Sequence, residues 1–334
     1  MRAHCKKYGR LFGIILFCLQ LAFFSTASAQ PEKTVRTYVP GQQSLDEIRK
    51  RGFAFLKTGD WESANSAFEK ALAIEPKDTL SLYGDAVALF NLKQIPDADS
   101  RLKAVFGILG WGKDNDQLLA DSLVLSAVIS AVQNKNSLAI EKLEKAIKLV
   151  PAHFDANFSL GRAYFGNGNL ERSIPAFRQA VSIQPNNLKA RFFLATALER
   201  DGNSADALKE YRTILQLDPK NAEGNLGLGI LLLKTEGDNS AEGLKALQRA
   251  IALNDKLYEG QVTLGKILVR LNRTSEAIEH LMKAADLAPS NPEPHFQLSI
   301  AYRKMKMKSE ADAETEIVKR IHETHRGIPS QTPQ

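Results

Sequence analysis

At 334 residues the chain has room for two or three compact domains or one repeat array, and 44% hydrophobic residues argues against wholesale disorder. The formal charge of +6 hints at nucleic acid, but Arg2, Lys6, Lys7 and Arg10 stand in the first 29 residues, where there is no acid; 44 basic residues less these 4 leaves 40 against 38 acidic ones. A net of +2 on the remainder argues against an electrostatic nucleic-acid binder.

Residues 1–29 open with those basic residues, continue through an apolar run from Leu11 to Phe24, and close on Ala27-Ser28-Ala29. That is the layout of a secretory signal, with cleavage expected before Gln30. As a helix the run would rise about 21 Å, short of a hydrocarbon core about 30 Å thick, so no stable membrane span is expected after cleavage. Both cysteines, Cys5 and Cys18, lie in this segment. The mature chain is therefore expected to have no disulfide, thiol nucleophile or cysteine metal site. Residues 30–44, with two prolines and no periodicity, read as a flexible leader.

From 45 to 325 the sequence repeats itself. AFEKALAIEPKD at 67–78 returns as AFRQAVSIQPNN at 176–187, EYRTILQLDPKN at 210–221 and HLMKAADLAPSN at 280–291. The stops Pro151, Pro185 and Pro219 are 34 apart; Asp255 follows after 36 and Pro289 after another 34. Each period holds two apolar patterns at i, i+3, i+4 and i+7, which predicts two amphipathic helices. The first carries an apolar–small pair with a large residue three further on, such as Leu160-Gly161 with Tyr164 or Leu264-Gly265 with Leu268. A turn follows, often with glycine (Gly59-Asp60, Gly168-Asn169, Gly202-Asn203), and then a small–large–small series such as Ala139, Leu143 and Ala146. Small residues let crossing helices approach, and proline ends the second helix. Seven extra residues fall near 106–118, in VFGILGWGKDNDQL, and predict a lengthened helix or a projecting loop. Two more fall near 235–240, in the turn within a pair. The tail, 326–334, reads as disordered.

With its 34-residue period and its Leu-Gly-Tyr-Ala-Phe-Pro columns, the array resembles the tetratricopeptide repeat. The stretch NFSLGRAYFGNGNLERSIPAFRQAVSIQP carries the pattern with Ser173 in place of the usual Ala. The resemblance implies an all-α solenoid, a right-handed superhelix of about eight helix-turn-helix units. In that family the first helices line a concave groove, which implies a binding column of Tyr83, Phe158, Phe192 and Phe296. One turn on stand Arg162 and Lys266, and beyond them Phe90, Phe165 and Arg303. The rings are expected to hold an apolar or aromatic segment, with Arg162 or Lys266 meeting a carboxylate or backbone carbonyl. The lysine–asparagine clamp of some relatives is absent, because the matching places hold Phe158 with Arg162 or Phe192 with Thr196. Trp111, between Gly110 and Gly112, is a candidate anchor on the insertion.

Chemistry is not expected. His322 and His325 are three apart, not the four of a zinc-peptidase helix, and no phosphate loop, dinucleotide fingerprint or Gly-x-Ser-x-Gly occurs. No cofactor or metal is expected. Asn157-Phe-Ser159 fits a glycosylation sequon inside a predicted helix, a poor place for an acceptor. The sequence therefore reads as an exported, periplasmic or secreted interaction scaffold for a protein or peptide partner, with a bacterial envelope as the expected setting. An accessory subunit that positions a separate enzyme, or a self-associating structural protein, are the alternatives.

Overall fold

The computed structural model describes residues 44–110 and 115–326. The signal, most of the leader, Trp111 and residues 327–334 lie outside the described residues. The described chain is helical throughout and forms two compact units that divide between Gln184 and Pro185.

The N-terminal unit contains four helix pairs: α1 (Leu45–Thr58) with α2 (Trp61–Ile74), α3 (Thr79–Asn91) with α4 (Ile95–Leu109), α5 (Asp116–Val132) with α6 (Asn136–Leu149), and α7 (Phe154–Gly166) with α8 (Leu170–Ile183). The C-terminal unit contains four more: α9 (Leu188–Asp201) with α10 (Ser204–Leu217), α11 (Ala222–Glu236) with α12 (Ala241–Leu253), α13 (Tyr258–Arg270) with α14 (Thr274–Leu287), and α15 (Pro292–Lys304) with α16 (Lys308–Arg326). The period thus gives eight pairs. The seven extra residues lengthen α4 to 15 and α5 to 17 residues on either side of 111–114.

Two kinds of turn alternate, and each has its own chemistry. Between pairs, the proline stop is followed two residues later by a helix cap. Asp78, His153, Asn187 and Asn221 each accept a backbone N–H of the next helix through the side chain. Within pairs, the chain turns through one residue of positive φ. Gly59 (φ 77°) and Gly202 (φ 89°) serve in two turns, but Lys93, Asn134, Asn272 and Lys306 take the same conformation at φ between 61° and 67°.

Within each pair the small and large columns meet. A methyl group on Gly161 would lie 2.6 Å from the ring of Phe177, so that ring packs directly on the α7 backbone. Phe177 is fully buried and also meets the rings of Phe158 and Phe165, with centroids 5.9 and 6.4 Å away. Phe68 plays the same part between α1 and α3. In the C-terminal unit Tyr211 and Leu247 fill these places.

Candidate interaction face

Tyr83, Phe90, Phe158, Arg162, Phe165, Phe192, Lys266, Phe296 and Arg303 all lie on the first helices of their pairs. In the N-terminal unit α1 packs on α3, α3 on α5, and α5 on α7; in the C-terminal unit α9 packs on α11 and α13 on α15. The first-helix face has a different chemistry in each unit.

In the N-terminal unit the expected binding rings are mostly core. Tyr83, Phe90, Phe158 and Phe165 are buried, the most open of them 9% exposed. These four correct the expectation of an open aromatic groove. Phe158 and Phe165 are covered by Phe177 from the second helix of their own pair, and Tyr83 and Phe90 lie in the core shared by the first three pairs. Burial also pushes the Tyr83 hydroxyl well above the usual phenol range, with the charges of Asp121 and Asp155 adding to it. Arg162 lies 5.8 Å from the centre of the Phe158 ring, a cation over an aromatic face.

Polar side chains are buried here too; the hydroxyls of Ser81 and Ser122 have no hydrogen-bond partner, whereas the charged groups are paired. Asp85, wholly buried, accepts from Asn65 Nδ2 and Arg101 Nε, both at 2.7 Å. Lys142 Nζ donates to Ser126 Oγ at 2.7 Å and Ser130 Oγ at 2.9 Å, fixing α6 to α5; burial lowers its pKa. His153 Nδ1 accepts from the Ala156 N–H, so its proton sits on Nε2, which donates to Asp121 at 2.8 Å.

The C-terminal unit keeps its face open. Phe192 is half-buried against Phe193 and Tyr211, while Phe296 is 51% exposed. Lys266 pairs with Glu293 at 2.8 Å across α13 and α15, and Arg303, exposed, donates to Thr315 at 3.2 Å. Leu233 of α11 and Ile267 and Leu268 of α13 share one buried apolar cluster. A hollow of about 260 Å³ lies between these two helices, floored by Ile230, Leu233, Val262 and Ile267 and rimmed by Lys234, Lys266, Arg270 and Asp238. The two extra residues fall at this junction: the lengthened turn carries Asp238, which accepts from Arg270 Nε and Nη2 at 2.5 and 2.7 Å. Arg270 in turn holds the Asp238 carboxyl below its usual pKa. Lys234 meets Glu199 only at 3.9 Å, and burial raises the Glu199 pKa against the pull of that lysine.

The sequence reading missed Lys234 and Arg270. They follow Leu233 and Val269 by one residue, beside the column that was followed. It also missed a column of latches. Asn157, Arg191 and Gln261 each donate from α7, α9 and α13 to the carbonyl of the residue that stops the preceding pair, Pro151, Pro185 or Asp255. The signal was a polar residue six positions after each stop. Asn157, read as a sequon, is buried and committed to this bond.

Comparison with known proteins agrees with the architecture. Models of the tetratricopeptide repeat match residues 131–188, 192–255 and 258–291. The chain is a tetratricopeptide repeat protein. The mouse "Interferon-induced protein with tetratricopeptide repeats 3" is 28% identical over 125 residues, which is 37% of this chain and 30% of that protein. The match thus spans under a third of that relative. Among solved structures, the C-terminal part of a tetratricopeptide repeat protein from Cytophaga hutchinsonii superimposes with a TM-score of 0.58 at 15% identity, covering 75% of this chain and 99% of the other. The pilF structure of Pseudomonas aeruginosa gives 0.56 at 18% identity, covering 65% and 95%. At these identities the likeness is one of fold. Tetratricopeptide repeats are in general protein-interaction modules, not enzymes, and protein partners are what this chain's repeats suggest. No described helix is long and apolar enough to cross a membrane.

Proposed function

We propose that this protein is a non-catalytic scaffold or adaptor of the cell envelope that holds a peptide or partner segment on its first-helix face. One observation carries the reading: in the C-terminal unit that face offers an exposed aromatic ring, Phe296, on the same helix as the exposed Arg303, with the partly exposed cation Lys266 on the preceding first helix. An aromatic anchor next to charges that fix orientation is the usual composition of an interaction hot spot. Phe192, on the first helix of the same unit's first pair, is a secondary contact in this reading.

The envelope setting rests on the N-terminal 29 residues. Fractionation of the native host followed by N-terminal sequencing should find a chain beginning at Gln30 outside the cytoplasm; an uncut cytoplasmic chain would remove that part of the proposal. For the scaffold itself, the mature chain and its Phe296→Ala variant are compared by affinity capture from the envelope fraction. The proteins retained by the parent should be lost or much reduced with the variant, at unchanged thermal stability. Equal capture by both would place binding on another face. Light scattering of the mature chain over a range of concentrations separates an adaptor from a self-assembling protein.

A further inference from the structure

The hollow between α11 and α13 has a more specific chemistry than the face around it. Its floor is aliphatic and its rim carries three cations against one carboxylate. Two of the cations already hold carboxylates of this chain: Arg270 grips Asp238 with two nitrogens, and Lys266 meets Glu293 from the neighbouring pair. The third, Lys234, is 63% exposed and stands 3.9 Å from Glu199, too far for a hydrogen bond.

We propose that this hollow seats a glutamate or aspartate side chain of a partner segment, with an adjacent aliphatic side chain on the Ile230–Val262 floor. This rests on the reading that the first-helix face binds partners, and it names the partner's chemistry. Lys234 is the anchor, because its charge is the least satisfied. Lys266 is the second contact and becomes available when Glu293 yields it. Arg270 is kept in place by its bidentate bond and sets the positive wall. A carboxylate that reaches Lys234 and Lys266 together replaces one internal ion pair with two charge-assisted contacts over an apolar surface. The internal carboxylates are thus competitors for the rim as well as staples.

The test uses the mature chain and three fluorescein-labelled probes followed by anisotropy. The first is an amidated peptide of alternating leucine and glutamate, the second its amidated leucine–glutamine counterpart, and the third that glutamine peptide with a free C-terminal carboxylate. The glutamate peptide should bind roughly tenfold more tightly than the amidated glutamine peptide, and added salt should shrink the difference. Lys234→Gln with Lys266→Gln should abolish the preference; both side chains are partly exposed, and a melting curve checks that the fold is kept. Glu293→Gln should strengthen binding of the glutamate peptide by releasing Lys266, whereas a purely structural pair would give no gain.

Equal binding of the two amidated peptides overturns the carboxylate site and leaves the broader face reading to stand on Phe296. Preference for the free-terminus peptide over the glutamate peptide overturns the side-chain assignment in favour of a chain end. No saturation by any probe at about 1 mM overturns the site as well.

Discussion

The two units use one backbone repeat for opposite ends. In the N-terminal unit the first helices carry Tyr83, Phe90, Phe158 and Phe165, and the rings are sealed between neighbours. In the C-terminal unit the places of the last two rings pass to Lys266's neighbourhood of smaller aliphatics, with Leu226, Ile230, Leu233 and Val262 along the same columns. One residue further, the N-terminal unit has Lys57, Asn91, Val132 and Gly166, where the C-terminal unit has Arg200, Lys234, Arg270 and Lys304. Large rings fill the space between consecutive helices. The smaller aliphatics leave one hollow between α11 and α13, and long cations stand around its edge. The lesson is that a repeat column states where a side chain sits, while its size decides whether that place is core or surface.

The sharpest way to break this contrast is to truncate one ring in each unit. Phe177→Ala, which empties a site ringed by Gly161, Phe158 and Phe165, should cost about 3–5 kcal/mol in urea denaturation. Phe296→Ala, on an exposed ring, should cost less than about 0.5 kcal/mol. Similar losses in the two would mean that the C-terminal rings are core after all. A smaller effect is expected at the latches: Asn157→Ala removes bonds to the carbonyls of Pro151 and His153, at 3.0 and 2.9 Å, and should cost about 1–2 kcal/mol by the same measurement.

These expectations also show how much of the molecule could be read in advance. The Pro151–Pro185–Pro219 spacing placed the pairs, because a proline stop and its capping residue are local signals. Tyr83 and Phe158 could not be sorted from Phe296 in the same way. All three occupy one column, and exposure depends on which side chains of other helices cover the ring, a tertiary quantity. Lys234 and Arg270 were hidden for a related reason. A cation one residue past an apolar column reads as an ordinary solvated end of a helix until the hollow between α11 and α13 puts an apolar floor beside it. The pairing of Lys142 with Ser126 and Ser130 spans 16 and 12 residues, and nothing in either helix alone signals it.

A pH experiment sharpens the comparison further. His280 on α14 is hydrogen-bonded to Gln261 at 2.8 Å, and burial lowers its pKa from the usual 6.5 against the opposing charges of Glu279 and Glu276. The unfolded chain then takes up a proton more readily than the folded one. Its contribution to stability is present above pH 6.5 and lost as pH falls below it through the folded value. Moving from about pH 7.5 to about pH 5 should lower the urea midpoint of the parent chain, and His280→Gln should flatten part of that slope. An unchanged slope would mean that His280 titrates as it does in the unfolded chain.

The smallest effect is expected to be equal in both units. Lys93 and Lys306 hold left-handed conformations at φ 67° and 61°, one in each unit. Replacing either with glycine should raise stability by up to about 1 kcal/mol, read as a rise in melting temperature. Unequal gains would show that the two turns, alike in geometry, differ in how tightly their surroundings hold them.

The latch at each junction has a practical consequence. Because Asn157, Arg191 and Gln261 reach back to the very residue that stops the preceding pair, a cut made just before that residue keeps donor and acceptor on one fragment. Scissions before Pro151, Pro185 or Asp255 would therefore leave each fragment its own clasp, so that regrafting a repeat would need to rematch only what crosses the cut, such as His153 with Asp121 and Arg270 with Asp238.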